Sequence, residues 1–163
     1  MANSIKKKPV FVLDYSVYDT AIGRHYEASS KPAKDLLYEL TTLKAGQGLC
    51  IAVISPALAN AVQTAFGQRK ALSFLFDYAA TIESHPLMPL AADLKSNHAF
   101  STVILAIWKH IANPDRTYLV TEDPSLKDLL KLLTKQLKIS PNVIGYKQAY
   151  DILTELDLNC VSN

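Results

Sequence analysis

Carboxylates follow two short apolar stretches of this chain, and they are the first residues that point to chemistry. Residues 10–13 are all apolar and lead directly into Asp14, and the stretch 117–121 leads into Glu122 and Asp123. An apolar run of this length predicts a strand that is buried on both faces. Ligands of parallel sheets bind beyond the carboxyl ends of the strands, so these acids lie where a site is expected.

A shared site requires that the two strands be neighbours in the sheet. Asp14 and Asp123 would then meet at one edge, and carboxylates held together repel unless a proton or a divalent cation lies between them. Asp93, which precedes a long apolar segment, is a further acid that can project to this edge. Magnesium and manganese prefer carboxylate oxygens and water as ligands. Three or four such acids suit phosphodiester hydrolysis, because the metal lowers the pKa of a bound water and stabilises the leaving oxygen.

Other common chemistries lack their motifs in this sequence. It contains no G-x-x-x-x-G-K phosphate loop, no G-x-G-x-x-G fingerprint and no G-x-S-x-G elbow. Its four histidines and two cysteines show no zinc-ligand spacing. A phosphoacceptor receiver domain needs another Asp after a later strand, whereas the second predicted strand ends in Ile54-Ser55-Pro56. The acids at the strand ends therefore remain the main candidates.

Composition predicts a single globular domain. The chain has 163 residues, of which 49% are hydrophobic and 20% are charged, and its net charge of +2 neither demands nor excludes a nucleic-acid partner. Two cysteines in unrelated places, Cys50 and Cys160, predict no disulfide framework, and a reducing compartment is expected. No apolar run reaches the ~18 residues of a membrane span or forms a signal-peptide core. We therefore expect a cytoplasmic protein with no membrane partner.

Apolar periodicity predicts alternating strands and helices. Such an order indicates right-handed crossovers and a three-layer α/β/α fold with a central parallel sheet of four or five strands. We expect one domain over residues 9–157, a basic arm before it at 1–8 and a tail after it at 158–163. Strands are predicted at 10–14, 49–54, 117–121 and 142–146, helices at 33–43, 56–66, 69–84, 97–112, 124–137 and 148–156, and a loop with one helical turn at 15–32.

Four segments resemble the motifs of the PIN-domain family, which includes toxin ribonucleases of bacterial toxin–antitoxin pairs. Segment 12–17 (VLDYSV) resembles the opening motif, a strand that ends in Asp followed by a small hydroxyl residue. Segment 119–123 (LVTED) resembles the late Val-Thr-x-Asp motif. Segments 54–59 (ISPALA) and 93–98 (DLKSNH) resemble the stretches after the second strand and before the long helix. The resemblance extends from about residue 9 to 156.

The resemblance implies a function and a set of site residues. It implies a magnesium- or manganese-dependent endoribonuclease that hydrolyses RNA phosphodiesters, with a possible antitoxin-like protein partner and a possible homodimer. The implied metal-binding and catalytic residues are Asp14, Asp93 and Asp123. Auxiliary positions implied by the same motifs are Ser16, Ser96, Asn97, Thr121 and Glu122.

Two departures from the family pattern support an alternative. The family places a Glu in the helix after the second strand, where this chain has Asn60 and Ala61, and it places an Asp where this chain has Ser96. Loss of one ligand from a four-acid site weakens metal binding. The alternative is a degenerate PIN-like scaffold that acts as an RNA- or protein-binding module.

Several of these residues also have purely structural interpretations. Asp123 before Pro124 is a favoured helix cap, and Glu39 and Glu122 fit exposed surface positions. Lys127, Lys131 and Lys135, followed by Lys138, share one face of a predicted helix, which either contacts a nucleic-acid backbone or is simply solvated. Tyr15 either stacks on bases or packs against the sheet, and His98 could shuttle protons.

Overall fold

Five parallel strands form a single sheet in the order β3-β2-β1-β4-β5. A computed structural model of the chain describes residues 8–24, 26–41, 48–67, 80–84 and 98–161, and the structural statements below concern these residues. The strands are β1 (Val10–Leu13), β2 (Ile51–Ile54), β3 (Thr81–Ile82), β4 (Thr117–Val120) and β5 (Asn142–Ile144). Helices cover both faces of the sheet, so the predicted three-layer α/β/α fold with a parallel sheet is confirmed.

Six α-helices accompany the strands in the described part of the chain. A five-residue π-helical turn, Asp19–Gly23, follows the first helix, and a short 3-10 turn, Ala28–Ser30, precedes the second. The helices are α1 (Tyr15–Tyr18), α2 (Lys31–Glu39), α3 (Pro56–Phe66), α4 (His98–Ala112), α5 (Pro124–Thr134) and α6 (Tyr146–Val161). Residues 15–32, which we expected to be mostly loop, are therefore largely helical.

Strand β1 lies at the centre of the sheet and faces both hydrophobic cores. Phe11 and Leu13 belong to the core that α1, α2, α3 and α6 cover, and Val10 and Val12 belong to the core beneath α4 and α5. Alternate side chains of a strand point to opposite faces, so a run of four apolar residues is the pattern that such a strand requires. The prediction of a doubly buried first strand is confirmed.

Local sequence signals set the ends of several elements. The Ser55 hydroxyl accepts a hydrogen bond from the Leu58 N–H at 3.1 Å and caps α3, whose first residue is Pro56. Gly67 ends the same helix with a φ of +84°, a conformation that residues with a Cβ adopt at a cost. The predicted start and stop of this helix are both confirmed.

The structure corrects three expectations about elements. Residues 81–82, which we predicted to be the end of a helix over 69–84, form the edge strand β3, and residues 68–79 lie outside the described part of the chain. The last helix runs on to Val161, so most of the expected tail is helical. Glu39 is buried rather than a surface residue. Among the described helices, none has the length and apolar character needed to cross a bilayer.

Candidate active site at the carboxyl edge of the sheet

An open cavity of about 500 Å³ lies where the central strands end. Strands β1 and β4 are neighbours, with Leu13 paired to Val120, so the residues that follow them emerge side by side. The condition on which the predicted site depended, adjacency of these two strands, is met. The cavity is lined by Asp14, Tyr15, Ser16, Asp19, Thr20, Arg24, Ser29, Pro32, His98, Ala99, Glu122, Asp123 and Tyr146.

Asp14 is a buried carboxylate that two donors hold in place. Its Oδ1 accepts a hydrogen bond from the Tyr15 N–H at 2.6 Å, and its Oδ2 accepts one from the Thr121 hydroxyl at 2.6 Å. Only 3% of the residue is exposed. Hydrogen bonds to an ionised acceptor are short and strong, so this side chain has a fixed orientation at the wall of the cavity.

Thr121 connects the two acid-bearing segments. Its hydroxyl donates to Asp14 and accepts a hydrogen bond from the Asp123 N–H at 3.0 Å. The residue is fully buried, and its own N–H donates to Ile144 O in β5. A β-branched residue has few χ1 rotamers, and Thr121 therefore holds Asp14 and the backbone of Asp123 in a fixed relation.

Asp123 lines the cavity and also caps a helix. Its Oδ1 accepts a hydrogen bond from the Ser125 N–H at 2.9 Å, at the start of α5. The structural interpretation of this residue is therefore confirmed, and its position in the cavity wall is compatible with it. Its second carboxylate oxygen retains its acceptor capacity.

Glu122 is exposed, as expected, but its carboxylate has a structural partner. Its Oε2 accepts a hydrogen bond from the Tyr146 N–H at 3.2 Å, in the first turn of α6. A negative charge at a helix N-terminus is favourable. Glu122 thus stabilises the start of α6, and the adjacent Asp123 stabilises the start of α5.

Asp19 and Tyr146 are among the cavity residues that the sequence analysis missed. Asp19, in the turn after α1, forms an ion pair with Arg24 in which Nε and Oδ2 lie 3.8 Å apart. Tyr146, which is almost fully buried, donates its phenolic hydrogen to Ser16 Oγ at 2.8 Å and lies 3.5 Å from Thr20 Oγ1. Neither belongs to a motif, since each reaches the cavity only through the packing of helices.

Burial raises the pKa of the Tyr146 phenol above its usual value. The negative charges of Glu122 and Asp14 raise this pKa further, and the hydrogen bonds with Ser16 and Thr20 lower it. The phenol thus stays protonated well above neutral pH and remains a donor to Ser16. Ser16, an auxiliary position in the opening motif, is consequently fixed in the cavity by a residue 130 positions away.

Tyr15 lies between two other rings. Its ring stacks on His98 with a centroid distance of 4.6 Å and on Phe66 at 6.3 Å. Burial, and then the charge of Asp19, raise the pKa of its phenol. His98 Nδ1 is buried and has no hydrogen-bond partner. Tyr15 therefore packs between two rings at the cavity wall, and its contact with bases stays a prediction. No described acceptor or donor supports a proton shuttle through Nδ1 of His98.

The described acids fit only a sparse metal site. No three of the described His, Cys, Asp and Glu side chains are placed to hold one ion. Asp93, Ser96 and Asn97 lie outside the described residues. Magnesium commonly uses one or two carboxylates and keeps several waters, and Asp14 with Asp123 matches that smaller set. Asp14 and Asp123 are the described pair that could hold such an ion.

The predicted nucleic-acid contacts lie on α5 and not in the cavity wall. Lys127 is half-buried, and Lys131 and Lys135 are exposed. Lys138 does not belong to this helix face, because the helix ends at Thr134 and Lys138 adopts a φ of 55°. The row therefore consists of Lys127 and Lys131 on the helix and Lys135 at its C-cap.

Fold and site together define a parallel α/β protein with an open cavity, rich in carboxylates, at the carboxyl edge of its sheet. Comparisons with protein-family models, with curated protein sequences and with solved structures give no significant match.

Proposed function

We propose that this protein is a magnesium- or manganese-dependent endoribonuclease of the PIN-like type. One observation carries the proposal: Asp14 and Asp123 follow neighbouring parallel strands, line one open cavity and are connected through Thr121. The resemblance of residues 12–17 and 119–123 to the opening and late PIN motifs supplies the substrate class. RNA is therefore the proposed substrate, and hydrolysis is the proposed reaction.

The residues of the chain have distinct tasks in this proposal. A bound divalent cation supplies an activated water and stabilises the leaving oxygen. Asp14, held by two hydrogen bonds, offers a carboxylate that needs no reorientation. Asp123 offers the oxygen that does not cap α5. Ser16 accepts a hydrogen bond from Tyr146, so its own hydrogen is available to a phosphate oxygen in the cavity.

Conservative substitution of the two acids tests this function. Asp14→Asn and Asp123→Asn should each abolish manganese-dependent cleavage of a fluorescent RNA, because each removes a negative metal ligand and keeps the side-chain shape. Asp151→Asn is the matched control, since Asp151 is exposed on α6 and does not line the cavity. Cleavage by Asp14→Asn at the unmutated rate would show that the assignment is wrong.

A binding module without catalysis is the second candidate. It is favoured by the absence of a three-ligand group among the described acids and by the use of Asp123 and Glu122 as helix caps. Thermal unfolding with and without manganese separates the two candidates, because a ligand of the native state raises the melting temperature. A rise that both Asn variants remove supports the enzyme, and no rise supports the module.

The resemblance also brings proposals about partners and location. It implies an antitoxin-like protein or a second copy of the chain as a partner, in a cytoplasmic setting. The two partner proposals are tested by measuring the molecular mass in solution, first of the purified chain alone and then of the protein purified from its natural host. A monomer that brings no second protein with it would contradict both partners.

A further inference from the structure

The lysine row on α5 begins next to the cavity. The helix starts at Pro124, directly after Asp123, and Lys127, Lys131 and Lys135 follow at intervals of four residues. At a rise of 1.5 Å per residue, they lie about 6, 12 and 18 Å along the helix axis from Asp123. Because α5 returns antiparallel to β4, the row leads from the carboxyl edge of the sheet towards the opposite edge.

The three lysines of the row lack the acidic partner that two other described lysines have. Lys31 is paired with Asp35 at 2.7 Å, and Lys109 is paired with Glu83 at 2.5 Å. None of the three lysines of the row forms an ion pair with a described residue. Like charges four residues apart on a helix repel each other, so the three lysines destabilise one another in the isolated fold.

Helix electrostatics explain only part of the row. Lys131 lies in the last turn of α5 and Lys135 is its C-cap, where a positive charge is favourable. Lys127 is the fourth residue of the helix, close to the end where a positive charge is unfavourable. It is also half-buried. The helix end therefore disfavours a lysine at position 127, although Asp123 lies four residues before it and partly offsets this effect.

A groove lies beside the row. It has a volume of about 230 Å³ and runs between α5 and the segment that leads into β5. Lys127 and Lys131 lie in its wall together with Ser140, and no acid lines it. The remaining lining residues are Leu130, Thr134, Ile139, Pro141 and Val143. Two ammonium groups and a hydroxyl in the wall of an apolar groove can bind a negatively charged group of an extended polymer.

We propose that this groove binds the backbone phosphates of a single-stranded RNA whose cleaved bond lies in the acidic cavity. The proposal rests on the proposed function and adds to it a requirement for substrate length. A strand must extend beyond the cavity along α5 to reach Lys127 and then Lys131, about 6 and 12 Å further. Short oligonucleotides should therefore bind weakly, and affinity should rise with length until the groove is filled.

Binding measurements on a cleavage-deficient chain test the groove. The Asp14→Asn protein is titrated into fluorescent oligouridylates of about 4 to about 16 nucleotides at several salt concentrations, and the anisotropy is recorded. Adding Lys127→Gln and Lys131→Gln should weaken binding of the longest oligonucleotide at least about tenfold. The slope of log affinity against log salt should fall by roughly 1.4, which corresponds to two phosphates of a single strand.

A charge-matched control separates an effect of the groove from a general effect of lost positive charge. Lys31→Gln with Lys147→Gln removes the same charge from two exposed residues outside the groove. If the groove variant and this control bind alike at every length, the proposal is overturned. It is also overturned if the Asp14→Asn protein binds none of the oligonucleotides.

Failure of the groove and failure of the nuclease are distinguishable. Manganese-dependent cleavage that the two groove substitutions leave unchanged at every substrate length overturns the groove and leaves the enzyme standing. Length-dependent binding that needs Lys127 and Lys131, without any cleavage by the unmutated chain, supports the groove and overturns the enzyme.

Discussion

Asp14 and Asp123 stand at equivalent places in the chain but in different environments. Each follows a central strand, and each accepts a hydrogen bond from a backbone N–H at the start of the next helix. Asp14 is buried and has a second donor in Thr121, whereas Asp123 is half-buried and leaves an oxygen without a donor. One local design thus yields a structural anchor at the first strand and a more accessible carboxylate at the second.

Removal of the Asp14 carboxylate should have the largest effect on stability. Asp14→Ala eliminates a helix cap, worth about 1 kcal/mol, and leaves the buried Thr121 hydroxyl without its acceptor, at a cost of about 1–3 kcal/mol. We expect the free energy of unfolding in urea to fall by about 3 kcal/mol. A loss no greater than that of Asp123→Ala would show that the two acids are equivalent.

Loss of the Thr121 hydroxyl should come next. Thr121→Val keeps the shape of the side chain but removes the donor to Asp14 and the acceptor for the Asp123 N–H. The expected loss in unfolding free energy is about 2 kcal/mol, because the bond to a charged acceptor dominates. Thr121→Ser is the control and should recover most of that loss. Equal destabilisation by Val and Ser would mean that the methyl group matters and the hydroxyl does not.

The Asp123 carboxylate should contribute less to stability. Asp123→Ala is expected to cost about 1 kcal/mol in urea unfolding, the usual value of an N-cap. Asp123→Asn should cost close to nothing, since Asn caps equally well, although the same substitution should abolish metal-dependent cleavage. A large stability loss in the Asn variant would place Asp123 in the same structural role as Asp14.

The smallest expected effect is on the pKa of Tyr146, which should respond to the charge of Asp14 but not to that of Asp123. Asp14, and not Asp123, raises the pKa of Tyr146. The Asp14→Asn variant should therefore show a lower Tyr146 pKa in an NMR titration of labelled tyrosine rings, and Asp123→Asn should leave it unchanged. A shift of similar size in both variants would contradict the geometry.

The raised pKa of Tyr146 also has a consequence for stability. The native state holds this proton more tightly than the unfolded chain does, whose tyrosines titrate near pH 10. The stability that the protonated Tyr146 phenol contributes to the native state is therefore fully present below about pH 10. It is lost as the pH rises through the pKa of Tyr146 in the native state. In Tyr146→Phe, the alkaline fall in unfolding free energy should be shallower than in the unmutated protein.

Much of the fold could be predicted because its signals are local. Four apolar residues in succession identify β1, and Ser55 with Pro56 identifies the start of α3. The edge strand Thr81–Ile82 could not be found in this way, because it has two residues and both are exposed. Its place in the sheet comes from pairing with β2, which is information that no short window of sequence contains.

The residues of the site also fall into those with a local sequence signal and those without one. Asp14, Thr121 and Asp123 could be found, because each lies within three residues after an apolar strand that indicates its place at the sheet edge. Tyr146 and Asp19 could not, since the first reaches the cavity from the start of the last helix and the second from a π-helical turn. Long-range helix packing, which periodicity does not encode, decides both positions.

The hydrogen bond between Thr121 and Asp14 joins residues that are 107 positions apart. At a synthesis rate of about 5–20 residues per second, Thr121 leaves the ribosome about 5–20 s after Asp14. Pairings of such high contact order also form late in folding, because the entropy of closing the loop must first be overcome. A nascent chain that ends before Thr121 contains Asp14 without its anchoring donor, and the cavity is assembled only when nearly the whole chain has been made.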